Sequence, residues 1–216
     1  MSEMFSSSHP RRRFLGKAAA VLAAITSGFP ASASAAVGAD TTLDSDHDAW
    51  IKASKGKHRQ LFHAVQAQET AMLMANNYLD AYTQEFNAKP GEVNAVIGVH
   101  GPALAIGFND AAWAKYALGK SSGINDPATK EPVVKNVFAG TGPLGVATLQ
   151  KRGVVFLLCN TGLKRFARST AEQRGETYDT VYNDLKSSLL PGVILVPALV
   201  VAINRAQEAG FSYVRA

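Results

Sequence analysis

The sequence predicts an α/β domain built on a largely parallel sheet, and three observations carry that expectation. Short apolar runs, of which Val154-Val155-Phe156-Leu157-Leu158 is the clearest, are too continuous for one-sided strands and read as strands buried on both faces. Between them lie stretches whose apolar residues recur at helical spacing, such as Met72, Leu73, Ala75, Leu79, Tyr82 and Phe86. Pro90-Gly91 and Pro191-Gly192 mark the change from helix back to strand. Strands that alternate with helices need crossover connections, and crossovers make strands parallel.

The chain divides into three parts. Residues 1–35 read as an export signal: Arg11-Arg12-Arg13-Phe14-Leu15 followed by Lys17 matches the twin-arginine pattern, Ala18 to Ile25 supplies a short apolar region, and Ala33-Ser34-Ala35 is a small-residue cleavage site. The apolar run is far shorter than the roughly 20 residues a membrane span needs, so the membrane is expected only during export of the precursor, to the periplasm. Residues 36–57 are small, polar and charged and are expected to be a flexible arm; Asp44, Asp46, His47 and Asp48 are metal-ligand types, but nothing in the segment imposes a coordination geometry. Residues 58–216 hold the α/β domain.

Within it, Arg59 to Val65 alternates weakly as a first strand, and Glu69 to Phe86 is an amphipathic helix. Val93 to Val99 is a second strand closed by His100 before Gly101-Pro102. Ala103 to Leu118 contains a helix, with Asn109 or Asp110 as an internal cap and Phe108, Trp113 and Tyr116 as packing residues. Periodicity is lost from Gly119 to Gly145, a length that suits a lid, a binding segment or an oligomer contact. The segment ends in Gly140-Thr141-Gly142-Pro143-Leu144-Gly145, which fits G-x-G-x-x-G in form only: Pro143 lacks an N–H where a phosphate cradle needs donors, and no ribose-binding acid follows. A brief helix to Arg152 then leads into the central strand. After it come a helix ended by Gly175, a helix over Thr177 to Leu189, a strand at Val193 to Val196, a helix over Ala198 to Ala209 begun by Pro197, and a last strand at Phe211 to Val214.

The chemistry concentrates at the end of the central strand. Cys159, the one cysteine of the 216 residues, sits there before a helix that Asn160 or Thr161 can cap and that carries Lys164, Arg165 and Arg168. Free N–H groups at a helix start and nearby cations favour a thiolate, the form that attacks sulfur. Unpaired cysteine is also among the most buried residue types, so a packing role stands beside the reactive one. His100 is the second polar group at a strand end, either satisfied by a backbone carbonyl or a proton partner for Cys159. A single cysteine excludes an internal disulfide and a two-cysteine redox site. The formal charge of +5 falls to +2 once residues 1–35 are set aside, which gives no general affinity for nucleic acid. No motif assigns a cofactor or a metal.

Cys159-Asn160 after a buried strand, Leu189-Leu190-Pro191-Gly192-Val193, Val196-Pro197-Ala198, and the ending Gln207 to Tyr213 together resemble the DsrE/DsrF-like family, as does Val93 to Val99 with His100-Gly101-Pro102. The resemblance covers most of residues 58–216. It implies a three-layer α/β domain with helices on both faces, association into homo-oligomers and, in the best understood members, a cysteine that carries persulfide sulfur. Three functional classes follow. Cys159 handles sulfane sulfur, with His100 as proton partner and Asn160, Thr161, Lys164, Arg165 and Arg168 holding charge. Alternatively, an oligomer binds a small anion at the same strand ends without catalysis, or the domain is a partner-docking module.

Overall fold

The computed structural model describes residues 46–216. A 3-10 turn at Asp46–Asp48 leads into helix α1 (Ala49–Ala53), and strand β1 (His58–Ala64) follows. Helix α2 (Thr70–Gln84) crosses to β2 (Val93–Val99). A 3-10 helix (Gly101–Gly107), α3 (Asp110–Lys115), α4 (Leu118–Ser121) and α5 (Val146–Lys151) lead to β3 (Val155–Cys159). Helices α6 (Asn160–Arg174) and α7 (Tyr178–Ser187) lead to β4 (Val193–Val196), and α8 (Leu199–Glu208) to β5 (Ser212–Arg215). The strands pair in the order β4-β3-β2-β1-β5, and every pairing is parallel, as the crossover pattern requires. The apolar runs lie at the centre: Ala95 to Val99 of β2 and Phe156 to Cys159 of β3 are buried.

The three layers follow from alternation along β1. Phe62 and His63 are successive, so their side chains leave opposite faces of the sheet. Tyr78 of α2 meets Phe62 edge-on with ring centroids 5.8 Å apart, while Gly98, the register partner of His63, lies beneath Leu199 of α8. A Cβ at Gly98 would stand 2.6 Å from Leu199 Cδ1, so glycine lets α8 approach the sheet. The chain steps from β1 to β4 in one direction with right-handed crossovers on the α2 face. The return leg through α8 to β5 lies over the other face, where Leu199 packs on Gly98.

The helix expected between Ala103 and Leu118 is three short pieces. Pro102 opens the 3-10 helix, the Asn109 side chain accepts from Ala112 N at 3.0 Å to start α3, and Ala117 takes a left-handed conformation (φ 48°) that separates α3 from α4. Pro197 precedes the cap of α8, which is Ala198, rather than opening the helix itself.

The arm expected over 36–57 is corrected where the structure describes it. Residues 46–57 belong to the domain: Trp50 is 3% exposed and meets Phe211 edge-on at 5.8 Å, the Ser54 hydroxyl donates to the Trp50 carbonyl at 2.8 Å, and Arg205 Nε of α8 donates to Asp48 Oδ1 at 2.8 Å. The polar composition concealed one large apolar anchor. Asp44, the signal peptide and the rest of the arm lie outside the described residues. Because the Trp50 indole fills space against Phe211, Trp50→Ala is expected to destabilise the domain by about 3 to 5 kcal/mol, read as a lower urea midpoint.

Candidate functional site

Strand β3 runs into α6 with no intervening residue, and that junction determines what Cys159 does. Cys159 has extended backbone angles and is itself the cap of α6, so Asn160 and Thr161 are the first helical residues rather than the cap. Cys159 Sγ accepts from Gly162 N at 3.4 Å and from Leu199 N at 3.3 Å, the first turns of α6 and α8. The thiol is 3% exposed. Asn160 Oδ1 accepts from the Tyr182 hydroxyl at 2.9 Å, which ties α6 to α7. Thr161 donates twice to the Pro197 carbonyl, from N at 3.2 Å and Oγ1 at 3.0 Å. Both residues therefore hold the carboxyl end of the sheet together, and their polar groups are engaged by protein.

An open cavity of about 420 Å³ begins one helical turn from the sulfur. His100, Leu104, Phe108, Leu118, Arg165 and Phe166 line it, together with Gly162, Ser121, Ser122 and Ser169. Gly162 is the partition: its N–H bonds the Cys159 sulfur and it also forms the cavity wall, where a Cβ would stand 3.3 Å from Leu104 Cδ1 and 3.7 Å from Sγ. Arg165 is exposed at the rim and makes no hydrogen bond or ion pair among the described residues. Lys164 and Arg168 are exposed but do not line the cavity, and the Arg168 guanidinium lies 5.6 Å from the Tyr178 ring centre. Of the residues singled out from sequence, the cavity gathers His100 and Arg165. Cys159 lies behind the wall, and Asn160, Thr161, Lys164 and Arg168 stand apart from it.

The other wall comes from the long segment after α3. Asn136, which is buried, donates from Nδ2 to the Ile106 and Phe108 carbonyls at 3.0 and 2.6 Å and accepts from Phe138 N at 2.8 Å. That side chain fixes the segment against the 3-10 helix and so holds Ser121 and Ser122 at the cavity. Gly119 allows this approach, since a Cβ there would fall 2.0 Å from the Val133 carbonyl oxygen. Gly145 closes its own turn by donating to the Gly142 carbonyl at 2.9 Å, so the G-x-G-x-x-G pattern ends in turn geometry. The pocket serines went unrecognised because Ser121 and Ser122 lie where periodicity is lost. Ser169 and Phe166 had a signal, since with Gly162 they repeat at helical spacing once α6 starts at Asn160.

A second polar cluster sits where the strand order reverses, at the carboxyl ends of β1, β2 and β5. His63 Nδ1 and the Tyr213 hydroxyl are 3.0 Å apart, and the His63 and His100 rings are 6.0 Å apart. His63 Nε2 is buried with no hydrogen-bond partner. Burial first, then the charges of His100 and Arg215, hold His63 below its ordinary value of 6.5. No cluster of three or more His, Cys, Asp or Glu suited to a metal occurs among the described residues, and the Asp48 carboxylate is paired with Arg205.

No protein-family model matches the chain, and no curated protein matches it. Among solved structures it is similar to a protein of unknown function, MTH1491 from Methanobacterium thermoautotrophicum, with 18% identity over 74% of this chain and 99% of that one and a TM-score of 0.40. No helix among the described residues is long and apolar enough to cross a membrane.

A histidine whose folded value is depressed favours the neutral ring in the fold, so the unfolded chain takes up the proton first as pH falls. The contribution of His63 is full above 6.5 and is lost as pH falls from there through its folded value. His63→Gln is expected to flatten the dependence of the urea midpoint on pH just below 6.5, relative to the parent. An unchanged slope would show that His63 does not titrate with unfolding.

Proposed function

We propose that this chain is an exported, oligomeric DsrE/DsrF-like protein that binds a small anion in the cavity at the carboxyl ends of β2 and β3. The observation that carries the reading is Arg165: a guanidinium at the rim of a cavity that His100 also lines, with no partner and no lining carboxylate among the described residues. An arginine fork left open to solvent beside a concave, mostly apolar surface is a ready counter-ion for carboxylate or another oxyanion. Its fork of donors gives orientation as well as charge.

Sulfane-sulfur handling by Cys159 is the second reading, favoured by one specific observation. The sulfur accepts from two backbone N–H groups, and one of them belongs to Gly162, which also lines the cavity. Transfer needs an accessible sulfur, and at 3% exposure Cys159 meets that need only if the Gly162 partition opens. Any persulfide formed would have to leave to another molecule, because the chain has no second cysteine.

Thermal-shift titration separates the two. A panel of small anions that includes thiosulfate, acetate and phenylacetate is expected to contain at least one that raises the Tm of the parent and of Cys159→Ser alike. Arg165→Gln should weaken that response by about tenfold in concentration, the loss of one charge-assisted contact. Serine preserves the cap of α6, so stability alone does not confound the comparison. A response abolished by Cys159→Ser, with a one-sulfur mass gain on Cys159 after polysulfide treatment, would instead support the sulfur reading. Export rests on the arginines before Phe14. Replacing Arg11 and Arg12 with lysine is expected to keep the precursor inside the cell, as followed by fractionation.

A further inference from the structure

We infer that the ligand of the Arg165 cavity is an amphipathic monoanion, a carboxylate with an aryl or short alkyl body; this rests on the anion-binding reading of the same cavity. The cavity sets one exposed cation beside buried apolar residues. Arg165 is exposed at its rim, while Leu104, Phe108 and Leu118 on its walls are 5%, 0% and 2% exposed. Among the described residues, Arg165 is the only lining residue with a permanent charge, and no aspartate, glutamate, asparagine or glutamine lines the cavity.

This donor set excludes several ligand classes. Sugars and nucleosides are held by carboxylate and amide side chains that read hydroxyls and base edges, and the cavity has none. A compact dianion such as sulfate or thiosulfate is fully hydrated in water, and a site must replace that shell with converging donors. The cavity brings one guanidinium and one imidazole to mostly apolar walls, and the Ser121 hydroxyl already donates to the Leu118 carbonyl at 3.1 Å, so few donors converge on such an ion. A hydrocarbon-bodied carboxylate avoids that cost. Its head stays at the hydrated rim, paired with the Arg165 fork, and its body covers the half-buried Phe166 and the apolar wall beside it. The volume, about 420 Å³, lies at the low end of the range for small-molecule sites.

The test uses calorimetric titration of the full chain with probes that separate head from body. Octanoate and phenylacetate carry both, acetate has the head alone, 1-octanol and 2-phenylethanol have the body alone, and thiosulfate is a compact sulfur dianion. Each buried methylene strengthens binding by about fourfold, so octanoate or phenylacetate is expected to bind more than about tenfold tighter than acetate. Whichever of the two binds more tightly defines a linear or a planar body. Arg165→Gln should abolish the preference of acid over alcohol, and Phe166→Ser should lower the affinity for both bodies while acetate is unaffected. If acetate or thiosulfate binds as tightly as octanoate and phenylacetate and still depends on Arg165, the ligand class is wrong and the anion site stands. If no probe shows Arg165-dependent binding, both fall.

Discussion

The carboxyl edge of the sheet is organised by one sulfur atom. Cys159 ends the most buried strand, and its Sγ takes the N–H groups of Gly162 and Leu199 that open α6 and α8. Each helix start has donors without intrahelical partners, and burying them unpaired is costly. A single acceptor serves one donor from each helix and thereby sets where both helices begin. Everything nearby inherits that placement: Asn160 reaches Tyr182 of α7, Thr161 grips the Pro197 carbonyl before α8, and Gly162 becomes the wall of the adjoining cavity. A residue that sequence marks as reactive is thus accounted for first by backbone geometry.

The domain was legible in its apolar runs because β2 and β3 are buried on both sides, and a strand of that kind leaves no polar residue to disguise it. The order of elements and the parallel pairing follow from the same pattern. Two features were not legible. Residues 46–57 look like an arm because their composition is polar, yet one indole at Trp50 and one ion pair from Asp48 to Arg205 fix them to α8 and β5. Local composition cannot register a partner about 150 residues away. The helix expected over Ala103 to Leu118 breaks up at the Asn109 cap and the left-handed Ala117, and the carbonyls of Ile106 and Phe108 bond instead to Asn136, which lies in an aperiodic segment.

The site divides in the same way. Arg165 and His100 were found because strand ends and helix starts are where polar groups converge, and the fold brings both to one cavity. Lys164 and Arg168 share the charge of Arg165 but do not line the cavity, and sequence proximity could not separate them before the helix was phased. Ser121 and Ser122 enter from a segment whose path is set by a buried asparagine rather than by any periodic signal. The His63 cluster was hidden for a different reason: β1 and β5 are neighbours only through the return crossover, so His63 and Tyr213 meet across 150 residues.

That return crossover has a cost during synthesis. β1 is made early, and its register partners in β5, from Ser212 to Arg215, leave the ribosome only after α8. Until then one side of β1 presents unpaired backbone groups, and the face that α8 covers, including Gly98, is bare hydrocarbon. Loop closure over so long a separation slows folding and prolongs the interval in which partly made chains can adhere to one another. The nascent chain is therefore a natural client for chaperones that mask sheet edges.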